Sequence, residues 1–261
     1  MIPFLGRSVY PGPALELRPS RTSFAGQARF HGWIVFTSWP RGDVEPLLPA
    51  ELELAASTAA HDMHPVVFAF GEQTEGAVIF GGLTLPSAPG YHEFGMAVPF
   101  VKLREGRLLY VYVARMYATY LPAVLAGNAY YGFGKEMATM GWRGRTFLID
   151  GQDHRRLLHA DAEPGGSWSA GSGCTLTNFD AVRATFALPV VGRKVDGTLV
   201  CSYFGWDFSE ALVRSGDACI SIDAPIVEGI TRRRCPSAAA GAFEVRDMMW
   251  KLGWPSACRG A

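Results

Sequence analysis

The chain has no surplus of either charge: 24 basic residues stand against 24 acidic ones in a length of 261. Without a charged footprint, neither nucleic acid nor an anionic membrane is expected as a partner. No apolar run reaches the ~18 residues that would suggest a membrane-crossing helix. The opening Met1-Ile2-Pro3-Phe4-Leu5-Gly6-Arg7 lacks the charged-then-apolar layout of a secretion signal. Cysteine is scarce and unpaired in spacing. The five residues Cys174, Cys201, Cys219, Cys235 and Cys258 include no C-x-x-C, and an odd count suits reduced thiols in a cytoplasmic protein. No G-x-S-x-G occurs, so no serine nucleophile can be argued. Gly81-Gly82 and Gly165-Gly166 lack the strand-to-helix setting of a phosphate loop. His61-Asp62-Met63-His64 offers two histidines without a third ligand, and Pro65 spoils their geometry, so no metal is expected. Internal repeats and low-complexity tracts are absent as well.

What the chain does have is apolar content, 49% of residues, enough for a sizeable core in one domain spanning 1–261. Residues 1–27, rich in proline, glycine and arginine, read as an irregular N-terminal arm over the body or a neighbouring subunit. Phe30 to Thr37 alternates like a strand. Gly42 to Pro49 reads as a short helix with Asp43 as its N-cap and Pro46 in its first turn. From Pro65 onward short aromatic and β-branched segments recur: 65–70, 77–80, 92–101, 108–115, 146–150, 157–162, 199–204 and 219–223. Tyr120 to Tyr131 reads as a helix entered through Pro122. Phe179 to Ala187 fits helix or strand. The expected fold class is α+β: a largely antiparallel, closed or nearly closed β-barrel-like sheet with a few helices, whose mouth would hold a small molecule.

The most informative stretch is Gly127-Asn128-Ala129-Tyr130-Tyr131-Gly132-Phe133-Gly134-Lys135-Glu136-Met137-Ala138. One lysine stands among aromatic and apolar side chains on glycine-rich backbone. Burial in low dielectric disfavours an ammonium, and a free amine is the nucleophile that attacks a ketone. The ordinary alternative is a lysine that lays its methylene stem on a ring and keeps its head in water.

This stretch resembles the Schiff-base lysine motif of the acetoacetate decarboxylase family, approximately G-R-E-x-x-G-F-P-K-K-L. Gly127, Gly132, Phe133, Lys135 and Met137 fall in register, with Gly134 in place of a proline and Glu136 in place of a lysine. A second stretch, Tyr91-His92-Glu93-Phe94-Gly95-Met96-Ala97-Val98-Pro99, resembles the family's Y-x-E-x-x-x-x-V/I-P and puts Glu93 at its catalytic glutamate. The resemblance covers residues 28 to 225 and implies the fold stated above. It also implies Lys135 as the iminium-forming nucleophile and Glu93 as proton carrier. No cofactor, a small oxo-compound partner and a homo-oligomer are expected with it.

The implied reaction is decarboxylation of a β-keto acid or a related substrate. Aldol cleavage or dehydration of another oxo acid, and a non-catalytic ligand-binding relative, are the alternatives. Substrate contacts are expected from Phe30, Trp33, Tyr131 and Phe133. One departure stands out: Phe30-His31-Gly32-Trp33 puts an indole where the family has a carboxylate-binding arginine. Arg29 and Arg115 are the candidates to replace it, because a guanidinium grips a carboxylate with two bonds and an indole cannot.

Overall fold

The computed structural model describes residues 24–55, 62–80, 83–227, 230 and 232–258. Most of the expected N-terminal arm therefore lies outside the described residues, as do His61 and Gly81-Gly82. Residues 24–27 are not irregular but open the first strand: Phe24 pairs with Gly253, and Gly26 and Gln27 are paired on both sides.

Strand β1 (Phe24–Pro40) leads into a single turn, α1 (Arg41–Val44), and a 3-10 turn over Glu45–Leu47. Pro40, not Asp43, precedes that helix as its cap; Asp43 instead takes an ion pair from Arg233. Strands β2 (Leu52–Leu54), β3 (Met63–Phe80), β4 (Leu83–Ala88), β5 (Tyr91–Leu103) and β6 (Tyr110–Ala118) follow. Helix α2 (Leu121–Ala126) runs into a π-helical turn, Gly127–Tyr131, before β7 (Lys135–Met137). Then come β8 (Thr139–Arg143), β9 (Thr146–Asp150), β10 (Arg156–Pro164) and β11 (Ser169–Ala170). Helix α3 (Phe179–Phe186) resolves the ambiguous segment as helical. Strands β12 (Val190–Arg193), β13 (Leu199–Ser202), β14 (Phe204–Asp207), β15 (Leu212–Ile222), β16 (Arg233–Pro236), β17 (Ala242–Gly253) and β18 (Ser256–Ala257) complete the chain.

The central run β17-β1-β3-β5-β6 is antiparallel throughout. Beyond it, β6 carries two parallel neighbours, β7 and β12. From the other side of the run, β17 passes to β15, then β10, β9 and β8. Among the described residues the ladders branch but never return to their starting strand. The fold class is therefore α+β and largely antiparallel, as expected, while the closed barrel is not: the sheet is open. Across the single-residue step at Tyr203 the pairing partner changes, from β12 for β13 to β17 for β14, while Tyr203 O accepts from Gly253 N at 2.9 Å.

Strand alternation gives the central run two different faces. Trp33 and Val35 of β1, Phe68 and Phe70 of β3, and Phe94 and Met96 of β5 join one large core. That core is completed by β9, β10 and β15, with the Phe147 ring tilted against Phe70 and meeting Trp142 edge-on. On the opposite face Phe30, Ile34 and Val67 look toward α3 and β14. This second face holds the cavity. At about 25 cal/mol per Å², each fully buried Phe or Leu of either face contributes roughly 1.5–3 kcal/mol.

The reduced-thiol expectation is corrected by one pair. Cys201 and Cys258 are joined as a disulfide, while Cys174, Cys219 and Cys235 are free. The short β13–β18 ladder, with Cys201 opposite Ser256, brings the two sulfurs together across 57 residues of sequence. No helix among the described residues is long and apolar enough to cross a membrane.

Candidate active site

The cavity, about 140 Å³ in volume, lies between the second face of the central run and a cover made by α3, β12 and β14. Small side chains make the room. On β5 the residues facing it are Glu93, Gly95 and Ala97, and on β3 Ala69 stands where a larger residue would close it. The walls are apolar and aromatic, including Phe133, Phe186, Phe204 and Trp206.

Lys135 enters this space from the first position of β7 and is buried, with 9% of its side chain exposed. Its placement is built from the turn before it. The π turn ends at Gly132, whose backbone is left-handed (φ 64°), and an added Cβ there would meet the Arg193–Lys194 backbone at about 2.5 Å. Gly127 lets the lysine stem lie across the turn: its missing Cβ would stand 2.7 Å from Lys135 Cδ. Asn128 then clamps the lysine backbone from both sides. Its Oδ1 accepts from Lys135 N at 2.6 Å and its Nδ2 donates to Lys135 O at 2.8 Å. A π-helical turn costs regular helix geometry and is frequent at functional sites.

Glu93 reaches the same point from β5. It sits two strands from Lys135, with β6 between them: Ala118 is the partner of Glu93, and Met116 that of Lys135. Lys135 Nζ donates to Glu93 Oε2 at 2.6 Å, and the carboxylate side is 12% exposed. The other oxygen, Oε1, accepts from Gln73 Nε2 at 3.4 Å. Trp250 Nε1 donates to Gln73 Oε1 at 2.7 Å. An indole can only donate, so this contact fixes the amide of Gln73 with its NH₂ toward the glutamate. Tyr91 lines the cavity beside them. Burial, helped by Glu93 and Tyr120, pushes its phenol up, so the hydroxyl keeps its proton and remains a donor. The arrangement brings a buried amine, a carboxylate at proton-transfer distance and two neutral polar groups to one end of an apolar space.

The structure brings together Lys135, Glu93, Phe30 and Phe133 of the sequence-derived set, all on the cavity wall. It does not bring the others there. Trp33 faces the large core, 3% exposed, because it is three residues from Phe30 on one strand and alternation sends the two to opposite faces. Arg29, next to Phe30, points out to Glu75 and Glu210. Arg115 pairs with Glu136, and its neighbour Met116 is the one that faces the cavity, after a bulge in β6. Tyr131 stacks behind Phe133, ring centroids 5.3 Å apart, and burial pushes its phenol up to about 12. Glu136 is thus turned away from the Lys135 amine. Of the two histidines weighed as metal ligands, His64 donates from Nε2 to Pro99 O (2.8 Å), inside the core. Among the described residues no cluster of three ligating side chains gathers. Gln73 and Asn128 were not foreseen; only Asn128 lay inside a stretch already singled out.

The chain matches no protein-family model and no curated protein. Its fold is that of acetoacetate decarboxylase-like structures. It superposes on acetoacetate decarboxylase from Legionella pneumophila with a TM-score of 0.60 at 12% identity, covering 96% of this chain and 92% of that one. An acetoacetate decarboxylase-like enzyme from Sphingomonas wittichii RW1 gives 0.59 at 11% identity, covering 98% of each. The enduracididine biosynthesis enzyme MppR, complexed with the condensation product of pyruvate and imidazole 4-carboxaldehyde, gives 0.55 at 14% identity, covering 90% of this chain and 89% of that one.

Proposed function

We propose that this protein is a lyase-type enzyme in which Lys135 forms an iminium with the carbonyl carbon of a small molecule and Glu93 moves the protons. The carrying observation is the 2.6 Å contact between Lys135 Nζ and Glu93 Oε2 on the wall of a largely apolar cavity. The fold neighbours, which are named as enzymes, support a catalytic rather than a purely binding role.

Glu93 Oε2 takes a proton from the lysine, and the freed lone pair adds to the carbonyl carbon. The resulting carbinolamine loses its oxygen as water, with the proton returned through Glu93. The iminium nitrogen then accepts the electron pair of a bond to the adjacent carbon as that bond breaks, giving an enamine. A proton delivered to that carbon and hydrolysis of the imine release product and lysine. Gln73, held by Trp250, keeps Glu93 oriented toward the amine while leaving Oε2 free to exchange its proton. Decarboxylation, aldol cleavage and dehydration share these steps up to the bond that breaks. MppR, with its bound condensation product, supports carbon–carbon chemistry as one outcome on this fold.

The test is borohydride reduction in the presence of keto acids and ketones, followed by intact-mass measurement and peptide mapping. The expected adduct maps to Lys135. Lys135→Arg keeps a cation beside Glu93 and so avoids stranding a buried carboxylate, which would cost about 3–5 kcal/mol. That variant should fold as the parent does, judged by circular dichroism, and give neither adduct nor turnover. Undiminished turnover in Lys135→Arg overturns the assignment.

A further inference from the structure

We infer that the cavity takes a neutral, elongated carbonyl compound, not a keto acid, and that Thr185 binds an oxygen at the end of that compound remote from its carbonyl. This rests on the proposed use of Lys135. Two independent observations carry it. First, among the described residues no cationic side chain but Lys135 lines the cavity, and both arginines that could have met a carboxylate are committed elsewhere to Glu75, Glu210 and Glu136. A carboxylate buried there would have only the amine that must become the iminium, and burying an unpaired carboxylate is strongly unfavourable. Second, Thr185 of α3 lines the cavity, is 2% exposed, and its Oγ1 has no hydrogen-bond partner among the described residues. Buried hydroxyls are nearly always partnered, and an orphan on a cavity wall points to a group that arrives with the ligand.

Thr185 stands on α3 and Lys135 on β7, so the hydroxyl and the amine reach the cavity from different elements of its wall. A cavity of 140 Å³ corresponds to about ten water-sized positions at roughly 10–15 Å³ each, hence a ligand of about ten heavy atoms. Phe186, Phe204 and Trp206 on the cavity wall suit an aromatic or flat alkyl body.

The probes are 4-(4-hydroxyphenyl)butan-2-one, its analogue without the hydroxyl, 4-phenylbutan-2-one, and acetoacetate. Binding is read by the change in tryptophan fluorescence, since Trp206 and Trp250 line the cavity, and imine formation separately by borohydride trapping. The hydroxyphenyl ketone should bind and trap at concentrations at least tenfold below acetoacetate. Thr185→Val removes the hydroxyl at constant shape and should weaken the hydroxyphenyl ketone by about tenfold while changing 4-phenylbutan-2-one less than twofold; Thr185→Ser should restore the difference. Equal weakening of both ketones, or none of either, overturns the role of Thr185. Tighter binding of acetoacetate than of both ketones overturns the neutral substrate class. Fluorescence binding of the ketones without any trapping upholds this inference and sinks the iminium reading instead, so the two fail separately.

Discussion

Glu93 receives a hydrogen bond on each oxygen, from Gln73 and from Lys135, and the asymmetry between 3.4 Å and 2.6 Å decides which oxygen works. Glu93→Gln keeps the shape and the contact to Lys135 but removes the group that takes and returns a proton. Adduct formation under borohydride should persist, while turnover should fall by about 10²–10⁴, the usual worth of a positioned acid–base group. Comparing trapped mass with steady-state rate checks this, and full turnover would leave Glu93 with a purely structural part. At this scale Lys135 and Glu93 were legible because two spaced motifs carried them. Trp33 and Arg29 were misplaced for a reason the sequence itself contained, whereas Arg115 is turned out by a bulge in β6. A stretch read as a strand cannot send residues three apart, or next to each other, to one face without a bulge. Gln73 left no such trace: its part arises only when β3 and β17 bring Trp250 above it.

Among elements, the turn from α2 to β7 does more than connect. Gly127 serves the lysine rather than the helix, since alanine is the better helix former by about 1 kcal/mol. Gly127→Ala should therefore leave the urea midpoint unchanged or slightly raised, while its Cβ, 2.7 Å from Lys135 Cδ, shifts the amine from its present position without parting it from Glu93. Turnover should drop at least tenfold, with the two measurements moving in opposite directions. A loss of stability that tracks the loss of activity would mean that the glycine matters for packing only. Elements were read from the sequence with uneven success. The helix over 120–131 was visible in its proline entry and alanine-rich body, but not its change to a π turn. Strand β3 was read as two pieces, 65–70 and 77–80, because Gly71 and Gly76 look like punctuation. In the structure Gly71 instead allows β1 and β3 to approach closely: its Cβ would stand 2.2 Å from His31 O. Strand β17 was missed altogether, and with it the backbone that carries Met248, Trp250 and Leu252 into the cavity. The Cys201–Cys258 bond escaped because only the β13–β18 ladder makes those two cysteines neighbours.

On the scale of the molecule, one sheet serves two interiors, a packed one and a hollow one. Its stability should depend on pH through a residue that belongs to the packed side. His64 is 3% exposed, at the start of β3, with its Nε2 2.8 Å from Pro99 O. A carbonyl only accepts, so the ring is held as the Nε2–H tautomer. Burial, the largest influence, and the nearby Arg41 cation push its pKa down to about 4, against the bond to Pro99, which raises it. In the unfolded chain the ring titrates near 6.5, so between about 6.5 and 4 the unfolded state binds a proton that the folded state refuses. Stability is therefore complete above about 6.5 and declines as pH falls through that window. At about 1.36 kcal/mol per unit the decline is about 3–4 kcal/mol at most. Urea unfolding at pH 7.5, 5.5 and 4.5 measures it, and carboxylates elsewhere add slopes of their own, so the comparison is with His64→Gln. That variant can still donate to Pro99 but has no proton to gain. It should be less stable than the parent at pH 7.5, through imperfect packing, and lose less on acidification, so that the two curves converge toward pH 4.5. Parallel curves would show that His64 takes up its proton as readily in the folded chain as in the unfolded one.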